Sequence, residues 1–87
     1  MRVQYKIEVT RKQTVVLKDS FSNTDALNVA VDTQIGLNPK GYRFKLKTLV
    51  NELTVYDTGS KILSPETLKK ELILAVLKVG EATNDSE

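Results

Sequence analysis

Arg43, Lys45 and Lys47 stand at every second position of a stretch, residues 42–48, in which apolar and polar residues alternate. On a β-strand such positions share one face. Three cations are then laid along about 13–14 Å of backbone. A row of that kind can neutralise phosphates and release their counterions. A second alternating stretch, residues 3–9, brings Lys6 and the adjacent Arg2, and the strand expected after it brings Lys18. Tyr56 carries a ring that can stack on a base. Arg2, Lys6, Lys18, Arg43, Lys45, Lys47 and Tyr56 are therefore the candidate nucleic-acid-contacting residues, with Gln4, Thr14 and Thr54 among them. The competing reading is a solvated face, because charged strand positions keep sheets soluble and their edges unpaired.

Other chemistry is sparsely provided for. The chain has no His and no Cys, so a zinc site would have to use carboxylates alone. Acid–base work would fall on Asp, Glu, Lys or Tyr, and no spacing pairs Asp19, Asp57 or Glu66. The glycines, at 36, 41, 59 and 80, are dispersed and build no phosphate loop. The expectation is a protein without catalytic residues, metal or cofactor. The run Lys40-Gly41-Tyr42-Arg43-Phe44 resembles the start of the RNA-recognition-motif signature, in which a basic residue and a Gly precede two base-stacking aromatics. Lys45 and Lys47 then stand where that family has Val and an aromatic. Another strand also intervenes before the second helix, and exposing Tyr42 and Phe44 would turn Arg43 and Lys45 inward. The run is therefore read as a turn leading into a core strand.

The net charge of +2 hides an asymmetry. Every Lys and Arg lies within residues 1–80, whereas Glu81, Asp85 and Glu87 close the chain. Residues 81–87 read as a disordered acidic tail, and 1–80 as a single, moderately basic domain whose partners are more often anionic. The beginning of the chain alternates instead of holding an apolar signal segment, and no apolar run is long enough to span a membrane. The expected setting is the cytoplasm.

The elements that would position these residues follow from periodicity. A first strand covers about 2–10, with Val3, Tyr5, Ile7 and Val9 on one face. A second covers about 14–21, with Val15, Leu17 and Phe21 alternating. Matching their apolar faces requires an odd loop, such as Arg11-Lys12-Gln13. A helix capped by Ser22, Asn23 or Thr24 then runs to Gly36. A third strand covers 42–50, turns at Asn51-Glu52, and leads to a fourth ending near Asp57. The second helix is announced by Ser64 as cap and Pro65 at its first position, with Gly80 as its stop.

These elements imply an α+β domain of two β-β-α units: a four-stranded, mainly antiparallel sheet with both helices on one face. The expected core is Tyr5, Ile7, Val9, Val15, Leu17, Leu27, Val31, Ile35, Phe44, Leu46, Val55, Leu72, Ala75 and Val76. Ile73, Leu74 and Leu77 lie off the inner stripe of the second helix and are the candidate partner interface. Two functions compete. One is a small binding module for nucleic acid or another polyanion. The other is a protein–protein interaction module, a homodimer or a small regulator or inhibitor, whose compactness and lack of catalytic motifs fit a virus- or mobile-element-encoded origin.

Overall fold

The computed structural model describes residues 2–36, 38 and 40–84. The chain runs β1 (Val3–Arg11), β2 (Thr14–Phe21), α1 (Thr24–Ile35), β3 (Tyr42–Val50), β4 (Leu53–Asp57), β5 (Lys61–Ile62) and α2 (Pro65–Asn84). It is an α+β fold in which two ββα units share one antiparallel sheet. The strand order is β2-β1-β3-β4, so the leading strands of the two units pair with each other at the centre. The short β5 resumes the edge after the break at Thr58-Gly59-Ser60, pairing Ile62 with Arg43 and Lys61 with Phe44.

Period-two alternation puts Tyr5, Ile7 and Val9 of β1 and Phe44 and Leu46 of β3 on one face, where all are buried. Leu27 and Val31 of α1 and Leu68, Leu72 and Ala75 of α2 pack on them, so both helices cover that face. Burying each such aliphatic or aromatic side chain contributes about 1.5–3 kcal/mol. α1 lies against β1 and β2, and α2 against β3 and β4.

Both helix starts carry the caps that their residues imply. The Ala26 N–H donates to Asn23 Oδ1 at 2.8 Å, and the Thr67 N–H donates to Ser64 Oγ at 3.1 Å. Gly36 closes α1 at a φ of 85°, which a side chain would resist, and its N–H donates to the Asp32 carbonyl at 2.9 Å.

The hairpins set their register differently from expectation. Parity demands an odd residue between β1 and β2. The structure supplies it as a bulge at Val16, after a two-residue turn in which Lys12 and Gln13 have φ of 50° and 67°. Val9 then faces Leu17 and Tyr5 faces Phe21. Val15, expected in the core, instead sits opposite Thr10 on the far face and is 50% exposed. The second hairpin repeats the device. Asn51 and Glu52 turn at φ of 51° and 69°, and Val55 bulges. Val50 faces Leu53 as expected, but Thr48 faces Tyr56.

The shift along the chain that carries Lys12 onto Asn51 also carries Val16 onto Val55 and Ile7 onto Leu46. Ile7 and Leu46 are themselves cross-strand partners. They therefore mark an approximate two-fold axis, normal to the sheet, that relates the two hairpins.

Two expectations about α2 are corrected. Gly80 does not stop the helix, which continues through Glu81 to Asn84. Glycine ends a helix only where the chain turns left-handed; otherwise it is tolerated at about 1 kcal/mol. Residues 81–84 of the expected disordered tail are thus helical, and Asp85, Ser86 and Glu87 lie outside the described residues. Val76, expected in the core, is 48% exposed, because the inner stripe runs through Leu68, Leu72, Ala75 and Val79. Among the described residues, no helix is long and apolar enough to cross a membrane.

Candidate functional site

The sheet face turned away from the helices is organised in rungs. One rung reads Ser20, Lys6, Lys47, Asp57 across the strands; the next reads Lys18, Glu8, Lys45. A third carries Val15, Thr10, Arg43 and Ile62. Rungs two residues apart lie about 6.6–6.8 Å from one another, and neighbouring strands about 4.8 Å. Lys6, Lys18, Lys45 and Lys47 surround a shallow hollow of about 440 Å³, whose lining Ile7, Glu8, Asp19 and Ser20 complete.

The charges around this hollow are unevenly balanced. Glu8 lies between Lys18 and Lys45 in its rung, with Lys18 Nζ 3.8 Å from Glu8 Oε2. An ion pair this exposed contributes at most about 1 kcal/mol. Lys6 and Lys47 are direct cross-strand partners, an arrangement that costs stability through like-charge repulsion. Asp57 is the other neighbour of Lys47, and its Oδ1 accepts the Gly59 N–H at 2.9 Å.

The remaining expected contact residues lie elsewhere. Arg43 sits farther along β3 and is tethered at the edge: its Nε donates to Ser60 Oγ at 2.9 Å and its guanidinium to the Ser60 carbonyl at 3.4 Å. Thr58 arranges this. Its N–H donates to the Leu46 carbonyl at 3.0 Å and its hydroxyl accepts the Leu46 N–H at 3.1 Å, which carries the ladder through the break in the edge. Arg2 lies at the opposite end of the face, beside the β3–β4 turn. Its backbone N–H donates to Asn51 Oδ1 at 3.0 Å and its guanidinium is 4.0 Å from Glu52. Arg2 is thus outside the hollow and has a counter-charge of its own.

Tyr56 is a correction. The Val55 bulge turns it to the helix side, where its hydroxyl donates to Glu71 of α2. That hydrogen bond to a carboxylate, then burial, then the Glu71 charge push the Tyr56 hydroxyl up to about 12. Thr14, opposite Arg11, also faces the helix side. Tyr42 lies beneath the Arg11 guanidinium at 5.3 Å, and Tyr5, Phe21 and Phe44 face the core. Every Tyr and Phe of the chain is therefore on the helix side, and the open face has no ring to offer a base.

Sequence reasoning missed Glu8 as a balancing charge and Ser60 as the anchor of Arg43. The first was legible, because Glu8 alternates with Lys6 on the same strand. The second was not, because it depends on β5.

On the outside of the helix layer, Ile73 and Leu77 are 53% and 57% exposed, and Leu74 is half-buried. Among the described residues, no group of three or more Asp or Glu side chains comes together in a way that could hold a metal ion. Comparison with protein-family models, with curated proteins and with solved structures finds no match to this chain.

Proposed function

We propose that this is a small cytoplasmic, non-enzymatic binding module that holds a polyanion, nucleic acid foremost, on the open face of its sheet. The observation that carries the reading is the Lys6–Lys47 pair, opposed across β1 and β3 with Lys18 and Lys45 around the same hollow. Asp57, the other neighbour of Lys47, offsets part of this repulsion, whereas Lys6 has only Ser20 on its other side, so the rung keeps a net positive charge. An anion bridging the pair removes the repulsion and gains two charge-assisted contacts. With no aromatic ring on this face, contacts go to phosphates and binding is largely independent of sequence.

The test is a salt titration of binding to random duplex and to single-stranded DNA. Affinity falls with salt, and the combined change Lys6→Ser and Lys47→Ser flattens the slope of log K against log salt by about 2. The fold survives the change, because both side chains are exposed. Absence of binding at low salt, where such contacts are exaggerated, would end the reading.

The protein-interaction reading is carried by a different observation, the exposure of Ile73 and Leu77 on α2. The two surfaces lie on opposite sides of the molecule, so each can be tested without disturbing the other.

A further inference from the structure

We infer that the outer face of α2 is the docking surface for a second copy of this chain, with the two α2 helices packed antiparallel about a two-fold axis. Lys70, Ile73, Leu77 and Gly80 follow one another at alternating steps of three and four residues, the spacing of a seam between two packed helices. All of them lie away from the buried stripe of Leu68, Leu72 and Ala75, and Ile73 and Leu77 are more than half exposed.

The charges along this seam choose the occupant. Glu66 and Lys70 precede the apolar pair and Glu81 follows it, while Lys69 lies on the flank toward α1 with Val76. In an antiparallel arrangement centred between Ile73 and Leu77, Ile73 meets the partner's Leu77. Lys70 reaches the partner's Glu81, and the same contact recurs at the other end. The surface is thus complementary to itself, which is what an isologous dimer requires. A parallel arrangement would set lysine against lysine and glutamate against glutamate. Glu81 now lies 3.3 Å from Lys78, an exposed pair on its own helix that holds it only weakly.

Gly80 supplies an independent observation. It lies within α2, has no positive φ, and a Cβ added there would meet nothing within 4 Å. Nothing inside the described fold calls for glycine at a position where it weakens the helix. In the antiparallel dimer Gly80 lies opposite the partner's Lys70, and the missing side chain leaves room for that lysine's stem to cross toward Glu81. The rival surface is the open sheet face, which would set its lysines against those of its copy.

Sedimentation equilibrium of the full chain at low salt tests the inference. The wild type is expected to dimerise at micromolar concentration. Leu77→Lys raises the dissociation constant by roughly a hundredfold or more, since it places a charge at the centre of the seam. Circular dichroism should be unchanged, because Leu77 is 57% exposed in the single chain. Lys70→Glu, and separately Glu81→Lys, each weaken self-association by roughly fivefold. Mixing these two variants restores it, because both ends of the mixed dimer then pair opposite charges. A wild type that stays monomeric at hundreds of micromolar overturns the inference and leaves the surface to a different protein. A dimer indifferent to Leu77→Lys overturns it in favour of another face, and failure of the mixed variants to associate overturns the antiparallel geometry.

Discussion

The Tyr56 hydroxyl meets Glu71 on the inner side of α2, where the glutamate is only 6% exposed. A carboxylate taken this far from water needs a donor, and Tyr56 is the one it has among the described side chains. Tyr56→Phe removes that donor and keeps the ring, so it should cost about 1.5–3 kcal/mol at neutral pH, measured by urea unfolding. The sign of the pH dependence follows from the tyrosine. Its folded-state value is raised from 10.0 to about 12, so its contribution is complete below pH 10 and is lost as pH rises through about 12. The gap between wild type and Tyr56→Phe should therefore narrow above pH 10; a gap that stays constant to pH 12 would mean that the hydrogen bond carries none of the stability. Next to this pair, Thr48 is fully buried and its hydroxyl has no hydrogen-bond partner among the described residues. Neither fact was legible in the sequence, where Tyr56 alternates with Thr54 as an outward residue would. The bulge at Val55 reverses that parity, and a bulge has no residue signature of its own.

At the level of elements, the two turns are the least economical part of the fold. Lys12, Gln13, Asn51 and Glu52 all hold positive φ without being glycine. Of these, Asn51 tolerates the left-handed region best, whereas a long side chain there costs about 1 kcal/mol. Two-residue hairpin turns demand this geometry because their twist matches that of the strands. Gln13→Gly should therefore raise stability by about 1 kcal/mol, seen as a melting temperature higher by about 4–8 °C. If a three-residue loop closed the hairpin instead, the added flexibility of glycine would lower the melting temperature. The sequence suggested the longer loop because matching the two apolar faces requires an odd number of residues, which the bulge at Val16 supplies instead. The helix starts were legible for the opposite reason. Ser64-Pro65-Glu66 and Asn23 state their roles locally, through a hydroxyl or amide within reach of the free N–H groups.

On the scale of the whole molecule, helices cover one side of the sheet and lysines occupy the other. A dimer formed through α2 would stack two helix layers between two sheets, leaving the basic faces outermost and pointing apart. Such an assembly bridges two stretches of polyanion instead of clamping one. In a capture experiment, wild-type protein bound to an immobilised duplex should recruit a second, labelled duplex at low salt. Leu77→Lys should bind the first duplex with its intrinsic affinity and fail to recruit the second. A dimeric wild type that binds DNA yet recruits no second duplex would refute this arrangement of faces.

Alternation, helix caps and composition by themselves determine much of this protein: the two hairpin-and-helix units, the face on which Tyr5, Ile7, Phe44 and Leu46 are buried, and the row of Lys45 and Lys47 opposite. Those are local properties, fixed by the two-residue period of a strand and by the chemistry of a helix end. Tertiary structure decided which strands are neighbours, and so that Lys6 stands opposite Lys47 and Glu8 between Lys18 and Lys45. It also decided that Tyr56 belongs to the core, that Arg43 is held by Ser60, and that α2 runs on past Gly80. Each depends on a register, a bulge or a packing contact between residues far apart in the chain. Such contacts are chosen by the joint burial of both units, and no short window of sequence contains them.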